Sequence, residues 1–434
     1  MARSVGLLRE RLSRLLVDIA PLRESQPFRM LFFARTASLL VYGVLGVAVS
    51  LQVFALTQSS FHVGAVGFAA AGGTALGLLF GSPMADRYDR KPQMVWSRLA
   101  FLCTVLALLA NALLAEPRLW LIYLAAGLGG LAGGFSAPAL MAAAPTLIAR
   151  EHLAAAGALT AIGIETGAII GPPVAGLLIA GPGFAFCYAF VAIGASITPV
   201  LLARLPPLPP KSADDGDLYG PRMLDALVFF RTHPVVAGLL ATDFLTCLFV
   251  VPHVLIPQLA LDIFAGGTAY ASLLYTAPAV GGLLAALTSG WARHLRQPGR
   301  VLLMLTACWG LCVAVAATAP DIGSASALFG LMGFFGAAGE ILRGALLQCH
   351  VPDRLRGRVF GLWLLQSSAA PAIGGFQTGA ASQAFSVSTV LAAGGAASMV
   401  ATMAVRAAFP SLLSAKIGKN AQLPSLAESA AHQP

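Results

Sequence analysis

Three carboxylates and two arginines set inside long apolar stretches are the residues of this chain whose placement could do chemistry. A charge in a bilayer interior is costly and marks an ion or substrate pathway by default. Glu165 lies about 12 residues into one such stretch, roughly 18 Å along a helix, inside a stripe of glycines and with no basic residue nearby in sequence. It reads as a protonatable carboxylate or a substrate contact, against the alternative of a structural pair with a distant arginine. Asp243 sits in the inner third of another stretch, and its reading is divided between a proton relay and a side chain that snorkels to the interface. Glu340 and Arg343, three apart, share a helix face and make a local ion pair the favoured reading. Arg35, a short way into the first stretch, faces an inner vestibule in the same picture. Tyr42, Gln52, Gln366 and Gln377 would supply the polar part of an otherwise apolar cavity, although each alone reads as an interhelical hydrogen bond.

The elements that must position these groups follow from composition. Of 434 residues 58% are hydrophobic, mean hydropathy is +0.81 and only 10% are charged, against about 25% in soluble domains. An all-α polytopic membrane protein is the class that fits, because helices satisfy their own backbone in lipid. The formal charge of +9 invites a nucleic-acid reading, but the basic residues fall in short connections between apolar runs, where they orient a membrane protein. Five of six cysteines lie inside apolar runs, Cys349 sits near a helix end, and the spacing of Cys308 and Cys312 suits helix packing. No metal-ligand spacing, His-Glu-x-x-His, nucleophile elbow or nucleotide loop occurs, so neither an enzyme nor a cofactor is expected.

Twelve apolar runs are expected near 29–56, 62–84, 94–115, 119–142, 153–180, 184–204, 234–260, 269–292, 300–319, 322–346, 358–381 and 386–408. With both termini on the cytoplasmic side, Arg118 alone among the 27 basic residues belongs to an outer connection. Residues 1–27 read as an amphipathic leader or a frayed basic one, with no h-region for a signal peptide. A Pro-rich then acidic stretch, Pro206 to Asp217, lies in a cytoplasmic linker spanning 206–233. It divides a six-helix bundle at 28–205 from a second at 234–410, and residues 411–434 read as a disordered tail. Ser25-Gln26-Pro27 before run 1 is echoed by Thr232-His233-Pro234 before run 7. Two repeated halves are the architecture of a rocker-type secondary transporter.

Between runs 2 and 3 lies Gly81-Ser82-Pro83-Met84-Ala85-Asp86-Arg87-Tyr88-Asp89-Arg90-Lys91-Pro92. It resembles the loop signature of the major facilitator superfamily at Gly81, Asp86, Arg87, Arg90 and Lys91, with Asp89 where that family usually has Gly. The resemblance implies a conformational latch, in which Asp86 meets the start of helix 11, near Arg358, or Arg150. The free N–H groups of a helix N-terminus favour a carboxylate there. In run 5, Gly163, Gly167, Gly171, Pro172 and Gly176 make a small-residue stripe for close helix contact. They also resemble the superfamily's antiporter signature, with Ala175 in place of one Gly, and this implies export. Run 4 lacks the buried Arg that many of the superfamily's antiporters carry.

Over nearly the whole chain the sequence is similar to the enterobactin-exporter family of bacterial siderophore efflux proteins. The similarity is carried by Pro27-Phe28-Arg29, Gly43 to Val49, the Asp86 motif, Asn111 to Pro117, Leu287-Thr288-Ser289-Gly290 and Gly357 to Trp363. What it implies is a monomer in the bacterial inner membrane that moves a siderophore from cytoplasm to periplasm in exchange for protons. A drug or metabolite exporter of the same fold is the alternative.

Overall fold

The computed structural model describes residues 20–149, 152–209, 229 and 232–415. After a short turn of helix at Ala20–Glu24, twelve long helices follow in chain order among the described residues. The first six are α1 (Gln26–Thr57), α2 (Ser60–Arg87), α3 (Arg90–Ala112), α4 (Leu119–Ala143), α5 (Leu153–Ala180) and α6 (Phe184–Ala203). The second six are α7 (Pro234–Phe249), α8 (Gly267–Leu287), α9 (Pro298–Ala316), α10 (Ile322–His350), α11 (Asp353–Ala384) and α12 (Val387–Ala408). Among the described residues eleven helical segments are long and apolar enough to cross a membrane. α11 completes the twelve: its 32 residues extend about 48 Å. That exceeds the ~30 Å of a hydrocarbon core, so its polar opening, Asp353-Arg354-Leu355-Arg356, need not lie in lipid.

Two compact units divide the chain. One gathers residues 1–48 with 72–212, the other 49–71 with 213–434. In the first, α3 packs on both α4 and α6 around Leu31, Ala34, Ala85, Met94, Ala139, Ala143, Leu202, Leu205 and Leu208. In the second, α10 packs on α8 and α9, α9 on α12, and α7 on α11 and α12. Small residues make these approaches possible where lipid supplies no hydrophobic drive between helices. Gly281 on α8 faces the backbone of Gly330 on α10, and Gly333 faces Pro278.

Hydropathy carries the seventh apolar run on to residue 260. The helix instead stops at Phe249, and Val250 is extended. A 3-10 turn at Pro252–Leu255, a short helix at Ile256–Gln258 and a π-helical turn at Leu259–Ile263 follow. Pro252 brings no N–H to the helix and disfavours helical backbone in the residue before it. The break leaves the Val251 N–H to donate to Thr378 Oγ1 of α11 at 3.0 Å. At the C-terminus the expected disordered tail begins as structure: Pro410–Ser414 form a 3-10 turn, and Leu412 is fully buried against Gly299 of α9. Residues 1–19 of the leader, most of the linker and residues 416–434 lie outside the described residues.

Candidate functional site

The second unit brings Asp243, Glu340 and Arg343 together. Asp243 is nine residues into α7, and Glu340 and Arg343 stand one turn apart on α10. Arg343 Nη1 donates to Asp243 Oδ1 at 2.7 Å and to Glu340 Oε2. Gln366 of α11 donates to the other Asp243 oxygen at 3.3 Å and to the Leu240 carbonyl at 2.8 Å. The side chains of Arg343 and Asp243 keep only 7% and 14% of their exposure, whereas Glu340 keeps 49%. One guanidinium thus faces two carboxylates, so the cluster carries a formal excess of one negative charge. Arg343 Nε is buried and unpartnered among the described residues. The local i,i+3 pair expected from sequence is present, and Asp243 joins it from another helix.

In the first unit the notable group is one that sequence reasoning passes over. Arg98, on α3, is 7% exposed. Its Nη1 donates to the Tyr42 hydroxyl of α1 at 2.9 Å, and its guanidinium carbon lies 5.7 Å from the Tyr42 ring centre. Phe101 packs on the same tyrosine with ring centres 4.7 Å apart. In sequence Arg98 groups with the basic residues that orient the protein, because it follows Arg87, Arg90 and Lys91 closely. The signal that separates it is position: eight residues inside α3, two turns past the charged connection.

The charged turn itself is built by short-range chemistry. Gly81 on α2 sits against the backbone of Phe135 on α4, where a Cβ would lie 2.8 Å from the Phe135 Cα. Gln93 donates to both the Gly81 and Phe135 carbonyls at 2.8 Å. Asp89 caps α3 by accepting from the Lys91 N–H and also accepts from the Leu208 N–H at 2.9 Å. Asp in place of the family's glycine therefore pins the start of the linker to this turn. Arg90 turns inward and donates to the Ala85 and Ala142 carbonyls. Asp86 and Arg87 are exposed, and Asp86 has no hydrogen-bond partner among the described residues. Arg150 and the side chain of Arg358 lie outside the described residues.

The glycine stripe of α5 is used against α1 of its own unit. A Cβ on Gly171 would come within 2.7 Å of the Gly43 carbonyl carbon, and one on Gly167 within 2.8 Å of the Leu39 carbonyl carbon. Gly163 faces Thr36, while Pro172 and the buried Gly176 continue the helix. Glu165 is half-buried on α5, with no ion-pair partner among the described residues. Arg35 is half-buried on α1, within electrostatic reach of Arg98. Asn111, whose neighbourhood carries part of the family resemblance, is buried and pairs with Arg118 in both directions. It accepts from the Arg118 N–H at 2.7 Å and donates to its carbonyl at 3.2 Å, closing the α3–α4 connection.

Twelve long helices among the described residues, close glycine contacts and a charged cluster held between helices are the build of a multi-pass membrane protein. The chain belongs to the Major Facilitator Superfamily, which it matches over residues 31–291. It is 34% identical over 361 residues to the enterobactin exporter EntS of Salmonella typhimurium, covering 83% of this chain and 86% of that protein. Over 360 residues it is also 34% identical to the enterobactin exporter of Shigella boydii, with the same coverage. Among solved structures, a mutant of the nucleoside transporter NupG aligns with a TM-score of 0.72 at 16% identity, over 88% of this chain and all of that one. A D-xylose-proton symporter aligns at 0.70 and 12% identity, over 87% and 96%. At those identities the likeness concerns the fold.

Proposed function

We propose that the protein is a secondary active exporter that carries a siderophore of the enterobactin kind from the cytoplasm across the inner membrane in exchange for protons. The substrate class rests on one observation: 34% identity sustained over 83% of the chain with enterobactin exporters. Proton exchange is supported by the chemistry of Asp243, Arg343 and Glu340, a buried cation shared by two carboxylates, and by the carboxylate Glu165 on α5, which has no ion-pair partner among the described residues. In this reading protonation of the cluster frees Arg343 from one of its partners, and that change of pairing biases an alternating-access cycle. Both termini face the cytoplasm, since that choice leaves Arg118 as the single outer basic residue. The protein works as a monomer. The turn carrying Gly81, Asp86, Arg87, Arg90 and Lys91 acts with Arg150 and Arg358 as the conformational latch, in which the exposed Asp86 is the carboxylate offered to a partner.

Deletion of the gene in its native host under iron starvation tests the substrate. Siderophore should fall in the medium and accumulate in the cells. Unchanged siderophore in the medium with none retained inside would overturn the assignment.

A further inference from the structure

The first unit contains a buried cation that no carboxylate among its described residues neutralises. Arg98 is 7% exposed, its Nε–H has no acceptor among the described residues, and the hydroxyl of Tyr42 that receives its Nη1 is neutral. The ion pairs among the described residues, Glu24 with His152 and Asp243 and Glu340 with Arg343, do not involve it. Among the described residues Arg35, a group of the same sign, is within electrostatic reach of it. Burying an uncompensated ion costs several kcal/mol, and a second cation nearby adds repulsion. An ionisable group held inside a membrane bundle without a counter-charge is a functional-site candidate by default.

The surroundings narrow the ligand. Arg35 and Tyr42 are seven residues apart on α1 and so share its face. The guanidinium lies 5.7 Å from the Tyr42 ring centre, and Phe101 packs on that ring with centres 4.7 Å apart. On α4, Gly133 leaves the space beside the Tyr42 hydroxyl open: a Cβ there would meet only that oxygen, at 3.5 Å. A guanidinium with an unused Nε–H is a fork suited to two oxygens in one plane, and ring faces suit a flat aromatic body. We infer that Arg98, supported by Arg35 and Tyr42, is an anion anchor that binds an aromatic ring carrying an ionised oxygen group, a carboxylate or a phenolate, beside a second oxygen. This deepens the exporter reading above and rests on it for the claim that the ligand is the transported substrate.

The test uses the full-length protein in nanodiscs, with 2,3-dihydroxybenzoate as the anionic probe and catechol as its uncharged counterpart, both followed by calorimetry. The parent protein should bind the benzoate more tightly than catechol. Arg98→Gln should weaken the benzoate at least tenfold and catechol less than twofold, and Arg98→Lys, which keeps the charge but not the fork, should fall between. If Arg98→Gln does not fold, Arg98→Lys carries the test, with a weakening of about threefold or more expected. No preference for the anion in the parent, or benzoate binding within twofold of the parent in both variants, would overturn the anchor. Enterobactin transport driven by a pH gradient, measured on the same preparation in liposomes, reports on the exporter reading separately. Transport without anion preference overturns the anchor alone. Anion binding lost in Arg98→Gln without any enterobactin transport supports the anchor and overturns the siderophore reading.

Discussion

Replacing Asp243 by Asn tests the charged cluster at its most informative point. The substitution keeps the shape and one acceptor oxygen toward Arg343 but removes a charge, so the cluster passes from an excess of one negative charge to neutrality. Across 2.7 Å, the Coulomb attraction at an effective dielectric of ~20 is about 6 kcal/mol before desolvation is subtracted. Removing one partner of a buried pair costs about 3–5 kcal/mol in practice. Glu340 stays on Arg343 and the substituted amide can still accept a hydrogen bond, so the lower end, about 3 kcal/mol, is expected. The burial of the three side chains also sets an order: Arg343→Gln, which strands two carboxylates, should destabilise most, then Asp243→Asn, then Glu340→Gln, whose side chain is half exposed. Thermal unfolding of the purified variants in one detergent reads that order. Liposomes with an imposed pH gradient read the second consequence. Gradient-driven accumulation should be lost in Asp243→Asn, while exchange of labelled for unlabelled substrate, which needs no net proton movement, should survive. An Asp243→Asn protein that melts with the parent and responds to the gradient as the parent does would refute the reasoning.

Gly171→Val should disrupt the contact of α5 with α1, because its Cβ would lie 2.7 Å from the Gly43 carbonyl carbon. Backbone cannot yield as a side chain tip does, so a loss of about 1–3 kcal/mol or more is expected, visible as a lower melting temperature. Asn111→Ala removes both hydrogen bonds to Arg118 at a cost of about 1–3 kcal/mol, and hydrogen exchange in residues 113–118 should quicken. Exchange as slow as in the parent would show that Asn111 does not close that connection. Asp321 caps α10, and the Ser324 N–H, with help from Gly323, holds its carboxyl below the usual carboxylate range. Its contribution is therefore present above that range and lost as pH falls through the lowered value. Asp321→Ala should lower the melting temperature at neutral pH, and the difference from the parent should shrink in acid. A difference that grows in acid would contradict the sign.

Much of the helix layout is legible in the sequence because lipid allows so few solutions. Runs 4, 5 and 6 match α4, α5 and α6 to within a residue or so at their ends. Legibility fails where a local rule overrides apolarity. Pro252 stops α7 inside a run that hydropathy alone reads as continuous. The Arg-rich start of α11 hides its first turn from a search for apolar residues. For the charged groups, spacing reveals the Glu340–Arg343 pair, since i,i+3 neighbours on a helix are fixed by its geometry. The meeting of Arg343 with Asp243, 100 residues apart, depends on how α7 packs against α10, which no single stretch records. Arg98 shows the opposite failure. Topology alone accounts for its residue type, so its depth in α3 goes unused.

The most direct measurement is transport by the purified protein alone. In liposomes with an acidic lumen, molecules inserted with their cytoplasmic face outward should accumulate enterobactin inside as protons leave, and a protonophore should abolish the accumulation. Enterobactin that stays outside under the gradient, or enters equally with the gradient collapsed, would contradict proton-driven siderophore export.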